Sequence, residues 1–169
     1  MQGVEMRGHV DTFMVAPDGS RTLVQPGSNT VLFKCADAVA RLFAGRGGGP
    51  AAVVFVHDSS FDTTVGAGAS PRSWQPSAAM AAAMATDTAS SVTRVPLDPN
   101  PSVSTSSADT YAGNVVTLRA TLTGDSEKSV YGYMLTDADN NVLAVRKLNS
   151  SVSKPANYAL AVSWDITFS

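Results

Sequence analysis

The stretch Tyr158-Ala-Leu-Ala-Val-Ser-Trp-Asp-Ile-Thr-Phe168 carries the most regular pattern in the chain. Tyr158, Leu160, Val162, Trp164, Ile166 and Phe168 alternate without a break with Ala159, Ala161, Ser163, Asp165 and Thr167. Successive side chains of a strand point to opposite faces, so one face of this segment is apolar over its whole length. A helix would scatter the same residues around its axis. Burying such a face contributes about 1.5–3 kcal/mol per large side chain, most of it offset by chain entropy. The segment is therefore expected to be a central, core-forming strand that ties down the end of the chain.

Similar signals recur upstream. Val142 to Leu148 and Ser129 to Thr136 flank Asp137-Ala-Asp-Asn-Asn141, a tight hairpin turn. Val116, Leu118, Ala120 and Leu122 alternate with Thr117, Arg119, Thr121 and Thr123, and Gly124-Asp-Ser-Glu127 turns the chain. At the other end Val4, Met6, Val10 and Met14 alternate with Glu5, Arg7, His9 and Asp11. Pro17-Asp-Gly-Ser20 then reverses direction into a second strand over 21–25. Pro26-Gly-Ser-Asn29 reads as a stop, with Ser28 or Asn29 offered as a helix N-cap. Leu32, Cys35, Val39 and Leu42, widened by Ala36 and Phe43, form one stripe of a helix over about residues 30–44 that ends at Gly45. Ala51 to Val56 is a continuous apolar run, expected to be a strand covered on both faces.

The expected architecture is an antiparallel β-sandwich or barrel of about seven or eight strands with that one helix packed against it. Residues 1–169 form a single domain, with an irregular Ala-, Ser-, Thr- and Pro-rich insertion at about 57–113. Within it, Ser91 to Leu97 reads as an edge strand ending near Pro96, and 99–110 as an extended loop. The Ala/Met run 78–85 has high helix propensity over two turns only, and 149–157 is expected to loop out.

Several function classes are disfavoured. Charged residues make up 15% of the chain, the formal net charge is −2, and the 12 Lys and Arg are scattered, so no basic stripe invites nucleic acid. The first nine residues lack the basic and apolar regions of a secretion signal, and no apolar run is long enough for a membrane helix. The chain is thus expected to be made in a cytoplasm. The single cysteine, Cys35, excludes internal disulfides and lies on the helix stripe as a small hydrophobe.

No catalytic, metal or cofactor constellation emerges. His57-Asp58-Ser59 has the letters of a triad, but adjacent strand residues face opposite ways. Asp137-Ala-Asp-Asn-Asn141 opens like a calcium loop and then places Val142 and Leu148 where Gly and Glu are required. Gly45-Arg-Gly-Gly-Gly49 follows a helix, whereas a phosphate cradle precedes one. The residues singled out as partner contacts are Trp74, in a Pro- and Ser-rich loop, and Met80 and Met84 in the Ala/Met run.

The order of features resembles a known group. It runs from the N-terminal hairpin through Ala36-Asp-Ala-Val-Ala-Arg-Leu-Phe-Ala-Gly45, the Val-rich strand and a Ser/Thr-rich middle. It continues with 115–123, Tyr131-Gly-Tyr-Met-Leu-Thr136, Val142-Leu-Ala-Val-Arg-Lys147, Lys154 and Leu160-Ala-Val-Ser-Trp-Asp-Ile-Thr-Phe168. This is similar to virion proteins of tailed bacteriophages, whose ends read as a Lys followed by L-x-V-x-W-x-I-x-F. A Gly-rich segment common after the buried strand falls later here, at Val65-Gly-Ala-Gly68.

The resemblance implies a non-enzymatic structural protein of the particle: a capsid decoration (cement) or head-fibre-type protein without cofactors. Its partners would be further copies of itself and the major capsid or other virion proteins, with a trimer suited to an icosahedral shell. A tail or baseplate protein and a carbohydrate-binding adhesion module are the alternatives. Aromatics, at 7%, sit mostly in core positions, which weighs against the latter.

Overall fold

The computed structural model describes residues 5–61, 71–86, 90–105 and 114–168. Among them, nine strands form one antiparallel sheet curled into a half-barrel, in the order β4-β3-β7-β8-β2-β1-β9-β6-β5. The strands are β1 (Met6–Val15), β2 (Arg21–Val31), β3 (Ala52–Val56), β4 (Val92–Pro96), β5 (Ser102–Thr105), β6 (Asn114–Leu122), β7 (Lys128–Thr136), β8 (Val142–Lys154) and β9 (Ala159–Phe168). The helices are α1 (Phe33–Phe43) and α2 (Ala78–Met84), with a 3₁₀ turn at Pro71–Ser73. The mainly β, antiparallel class agrees with the expected architecture, with nine strands and two helices in place of about seven or eight strands and one helix.

The alternating C-terminal segment is central, as its pattern demands. β9 pairs with β1 through Val10↔Trp164 and with β6 through Leu118↔Trp164. Leu160, Val162, Trp164 and Ile166 are buried; Tyr158 and Phe168, at the ends of the run, are half-buried. β2 and β8 share only Thr30↔Val145 and Val31↔Ala144, and this short seam lets the sheet turn back on itself. The inner faces of β1, β6 and β9 thereby meet those of β3, β7 and β8 in one core. The link from β4 to β5 closes the curl: Leu97 donates to the Ala51 carbonyl and Asp98 to that of Arg119.

The apolar run of β3 is explained by a second core. Val53 and Phe55 face the main core, while Val54 and Val56 join Leu32, Phe61, Met80, Met84, Met134 and Val145 on the opposite face. α2 covers that face, its first turn capped by Ser77 Oγ, which accepts from the Met80 amide at 3.2 Å.

Four expectations need correction. Pro26-Gly-Ser-Asn29 does not stop β2, because Arg146 reaches across Gly27 and donates to the carbonyls of Ser28 (2.7 Å) and Pro26 (3.2 Å). A Cβ on Gly27 would meet that guanidinium, so a side chain there would push Arg146 off the two carbonyls. The N-cap of α1 is therefore Leu32, with no side-chain cap, rather than Ser28 or Asn29. The stretch 149–154 does not loop out but extends β8, since a four-residue excursion opposite Tyr131 lets Val152 rejoin Val130. Gln25 holds the excursion, accepting from the Asn149 amide at 3.0 Å. Finally, the 57–113 insertion is not irregular throughout: it contributes α2, β4 and β5, while the Gly-rich segment 65–68 lies outside the described residues.

Candidate functional site

Two surface features could receive a ligand or a partner. The first is a cleft of about 490 Å³ between α2 and the turn after β3, with Asp58, Ser60, Phe61, Trp74, Ser77 and Met80 among its walls. Its floor is the second core. Met80 and Met84, four residues apart and so on one face of α2, point into that core and are buried at 8% and 4% exposure. Both are occupied by the chain's own packing. Trp74 is half-buried, its ring edge-on to Phe61 with centroids 6.2 Å apart. Of the three residues singled out from the sequence, Trp74 and Met80 meet in this cleft.

Asp58 accepts from the Ser60 amide (2.8 Å) and hydroxyl (2.7 Å), which hold its carboxyl below the usual carboxylate range. His57 is turned away from it. Nδ1 lies 2.8 Å from the Ser129 carbonyl, which can only accept, so Nδ1 carries the proton and Nε2 accepts from the Thr93 hydroxyl at 2.8 Å. His57 and Asp58 thus belong to two separate hydrogen-bonded groups, the serine on Asp58 is Ser60 and not Ser59, and His57 ties β3 to β4 and β7.

Burial lowers the His57 pKa, which has a measurable consequence. Below the ordinary histidine value near 6.5 the unfolded chain takes up a proton that the folded one resists. The stability that His57 contributes is full above that pH and declines as pH falls through it. Wild-type protein should lose melting temperature between pH 7.5 and 5.5 by more than His57→Gln does. Parallel curves for the two proteins would show that His57 is not held neutral.

The other polar groups singled out from the sequence are structural. Asp137 Oδ1 accepts from the amides of Asp139 and Asn141, each at 2.9 Å, while Oδ2 takes the Asn141 side-chain amide and faces Arg41 at 3.7 Å. Its oxygens close the β7–β8 turn. Cys35 is buried against the main core, and burial pushes its thiol to about 11, far from a nucleophile's range. Gly45 and Gly47 have positive φ (67° and 70°) in the exit from α1. Among the described residues no cluster of three His, Cys, Asp or Glu is placed to hold a metal ion, and no helix is long and apolar enough to cross a membrane.

The second feature was hidden in the helix stripe. Cys35 and Ala38 pack into the core, but Leu42 is 48% exposed and Phe43 is 91% exposed. Phe43 was expected to widen the buried face, and it does not. It stands at the rim of an apolar groove of about 620 Å³ lined by Met6, Val39, Ala40, Leu42 and Phe168. Helical periodicity shows that α1 has an apolar side, whereas the width of that side covered by the barrel depends on how the helix sits. A stripe wider than core contact requires was the only signal in the sequence.

Comparison with known proteins yields no match among protein-family models, curated proteins or solved structures.

Proposed function

We propose that this chain is a non-enzymatic structural protein of a tailed-bacteriophage particle, a capsid decoration (cement) or head-fibre-type protein that acts through oligomeric protein–protein contacts. The observation that carries the reading is the uncovered apolar face of α1 beside its groove, in a chain with only 15% charged residues. An exposed Phe next to an open apolar groove is a feature of surfaces that become covered on assembly. The order of sequence features and the L-x-V-x-W-x-I-x-F ending supply the particle. On this reading the protein is made in the host cytoplasm and ends up in the virion, with copies of itself and the major capsid protein as partners.

Cosedimentation with capsids that lack their decoration is the direct test. Wild-type protein should pellet with the shells at saturable stoichiometry, and Phe43→Asp should bind more weakly if the α1 face takes part. Immunogold labelling of intact particles separates a head position from a tail or baseplate one. If wild-type protein neither pellets with shells nor labels particles, the reading fails.

The Trp74 cleft supports a second reading, a carbohydrate-binding adhesion module. A cleft lined by Trp74 together with Asp58, Ser60 and Ser77 combines an aromatic surface with polar residues for sugar hydroxyls. Glycan-array binding that disappears in Trp74→Ala would favour it.

A further inference from the structure

We infer that Thr93 is a nucleophile, a hydroxyl that takes an acyl group from an activated ester or thioester, with His57 as its general base and Lys128 beside the attacking oxygen. The inference goes beyond the assembly reading and is independent of it, because one acyl transfer to the chain involves no partner surface.

His57 has Asp58 and Ser59 as its neighbours in sequence, yet the fold supplies its hydroxyl from another strand. Thr93 stands on β4 in register with Phe55 of β3, and His57 follows β3 directly. Lys128 and Ser129 open β7, which pairs with the other edge of β3. Three neighbouring strands thus bring a hydroxyl, an imidazole and an ammonium together. Thr93, His57 and Lys128 are each half-buried, partly shielded from water and still within reach of a small molecule.

The hydrogen-bond roles fix the direction of proton transfer. The Ser129 carbonyl, 2.8 Å from Nδ1, can only accept, so Nδ1 holds the ring proton and Nε2 presents a lone pair. That lone pair meets the Thr93 hydroxyl at 2.8 Å, so Thr93 donates to His57. Lys128 Nζ donates to the same threonine oxygen at 3.4 Å, where a positive charge favours the negative charge that develops on it. A nucleophile, a base within hydrogen-bond reach and a third group that orients the base form the arrangement that activates a hydroxyl. Burial and the Lys128 charge also keep His57 neutral, the form in which it accepts a proton. Lys128 is the charged group that bears on the ring, while Asp58, next along the chain, is engaged by Ser60.

The step is a simple acyl exchange. Thr93 Oγ1 attacks the carbonyl carbon of the ester, and its proton passes to His57 Nε2. The tetrahedral adduct expels the alcohol or thiol, which takes the proton back from Nε2. A threonyl ester and a neutral imidazole remain, with nothing oxidised or reduced.

The test is incubation of the full chain with p-nitrophenyl acetate, following nitrophenol release and locating the acetyl group by tandem mass spectrometry. Wild-type protein should release nitrophenol in a burst stoichiometric with the chain and carry an acetyl group on Thr93 that hydroxylamine removes, as it removes esters and not amides. Thr22, exposed on β2, should stay unmodified. His57→Gln should slow the burst about a hundredfold, and Lys128→Gln by a smaller factor. Thr93→Ser should keep the reaction and Thr93→Val should abolish it. The rate should rise with pH through a single titration below 6.5 and then level off, as a base held neutral requires. Circular dichroism checks that each variant is folded. Should His57→Gln unfold, the Thr93→Ser and Thr93→Val pair and the pH profile decide alone. Acetyl groups found only on lysines or the N-terminus, equal acetylation of Thr93 and Thr22, or an undiminished burst in folded His57→Gln overturns the inference.

Discussion

Ile166→Asp is expected to leave no folded protein. Ile166 is 3% exposed and sits on β9 between Gly8 of β1 and Val116 of β6, facing the main core. No basic side chain forms an ion pair there among the described residues. An aspartate in that position loses about 2–3 kcal/mol of apolar burial, and it adds several kcal/mol more for an unpaired buried carboxylate or the protonation needed to avoid one. Against a total stability of about 5–15 kcal/mol for a domain of ordinary size, the sum removes most or all of it. Thr167→Asp, one position along, is the matched control. Its side chain is half-buried on the opposite face of the strand, in register with Arg7, and it should fold within about 0.5 kcal/mol of wild type. Soluble yield and circular dichroism of the pair decide the matter. A soluble, cooperatively melting Ile166→Asp would mean that β9 is not the centre of the core.

Lys154→Met is expected to be the most damaging exchange at a charged position. Lys154 is fully buried, and its ammonium donates to the carbonyls of Tyr158 (2.9 Å), Gly124 (3.0 Å) and Pro155 (3.2 Å). Gly124 belongs to the turn between β6 and β7, while Pro155 and Tyr158 flank the turn between β8 and β9. One side chain therefore fastens two turns at the same end of the barrel. Burial lowers the lysine pKa, yet three carbonyl acceptors at hydrogen-bond distance favour the charged donor. Methionine keeps the apolar stem and removes the donor shared by the Gly124 and Tyr158 carbonyls, while the Pro155 carbonyl keeps the Tyr158 amide. Losing the shared ammonium costs about 1–3 kcal/mol. Urea denaturation should show a midpoint lowered by that amount with an unchanged slope. A shift below about 1 kcal/mol would mean that the carbonyls find water instead and that the cage is not structural.

The resemblance to phage virion proteins includes a Lys before the terminal strand, and the structure gives that residue a physical task. Lys154 is buried in its own chain, so it is not a partner contact. The surfaces proposed above to meet a partner or ligand, α1 and the Trp74 cleft, carry no polar motif that a sequence pattern could flag. Phe43 and Trp74 are aromatic residues in unremarkable surroundings. The exposure of Phe43 follows from the seating of α1, and the half-burial of Trp74 from its edge-on contact with Phe61.

Wherever a strand buries one face or both along its length, the local order of residues determined it. The alternation in 158–168 specified β9, the Val-rich run specified a β3 covered on both sides, and Asp137 to Asn141 specified a turn closed by its own aspartate. These are near-neighbour effects: a side-chain period of two, or a carboxylate within reach of amides two and four residues away. Tertiary structure decided the cases in which the partner is distant along the chain. Pro26-Gly-Ser-Asn29 has the chemistry of a stop, and it stays extended because Arg146, from a strand more than a hundred residues later, occupies the space above Gly27 and engages the carbonyls on either side. The exposure of Phe43 has the same origin. Helical periodicity creates an apolar side on α1, but the barrel is narrower than that side, and the part left over is where a partner would have to sit.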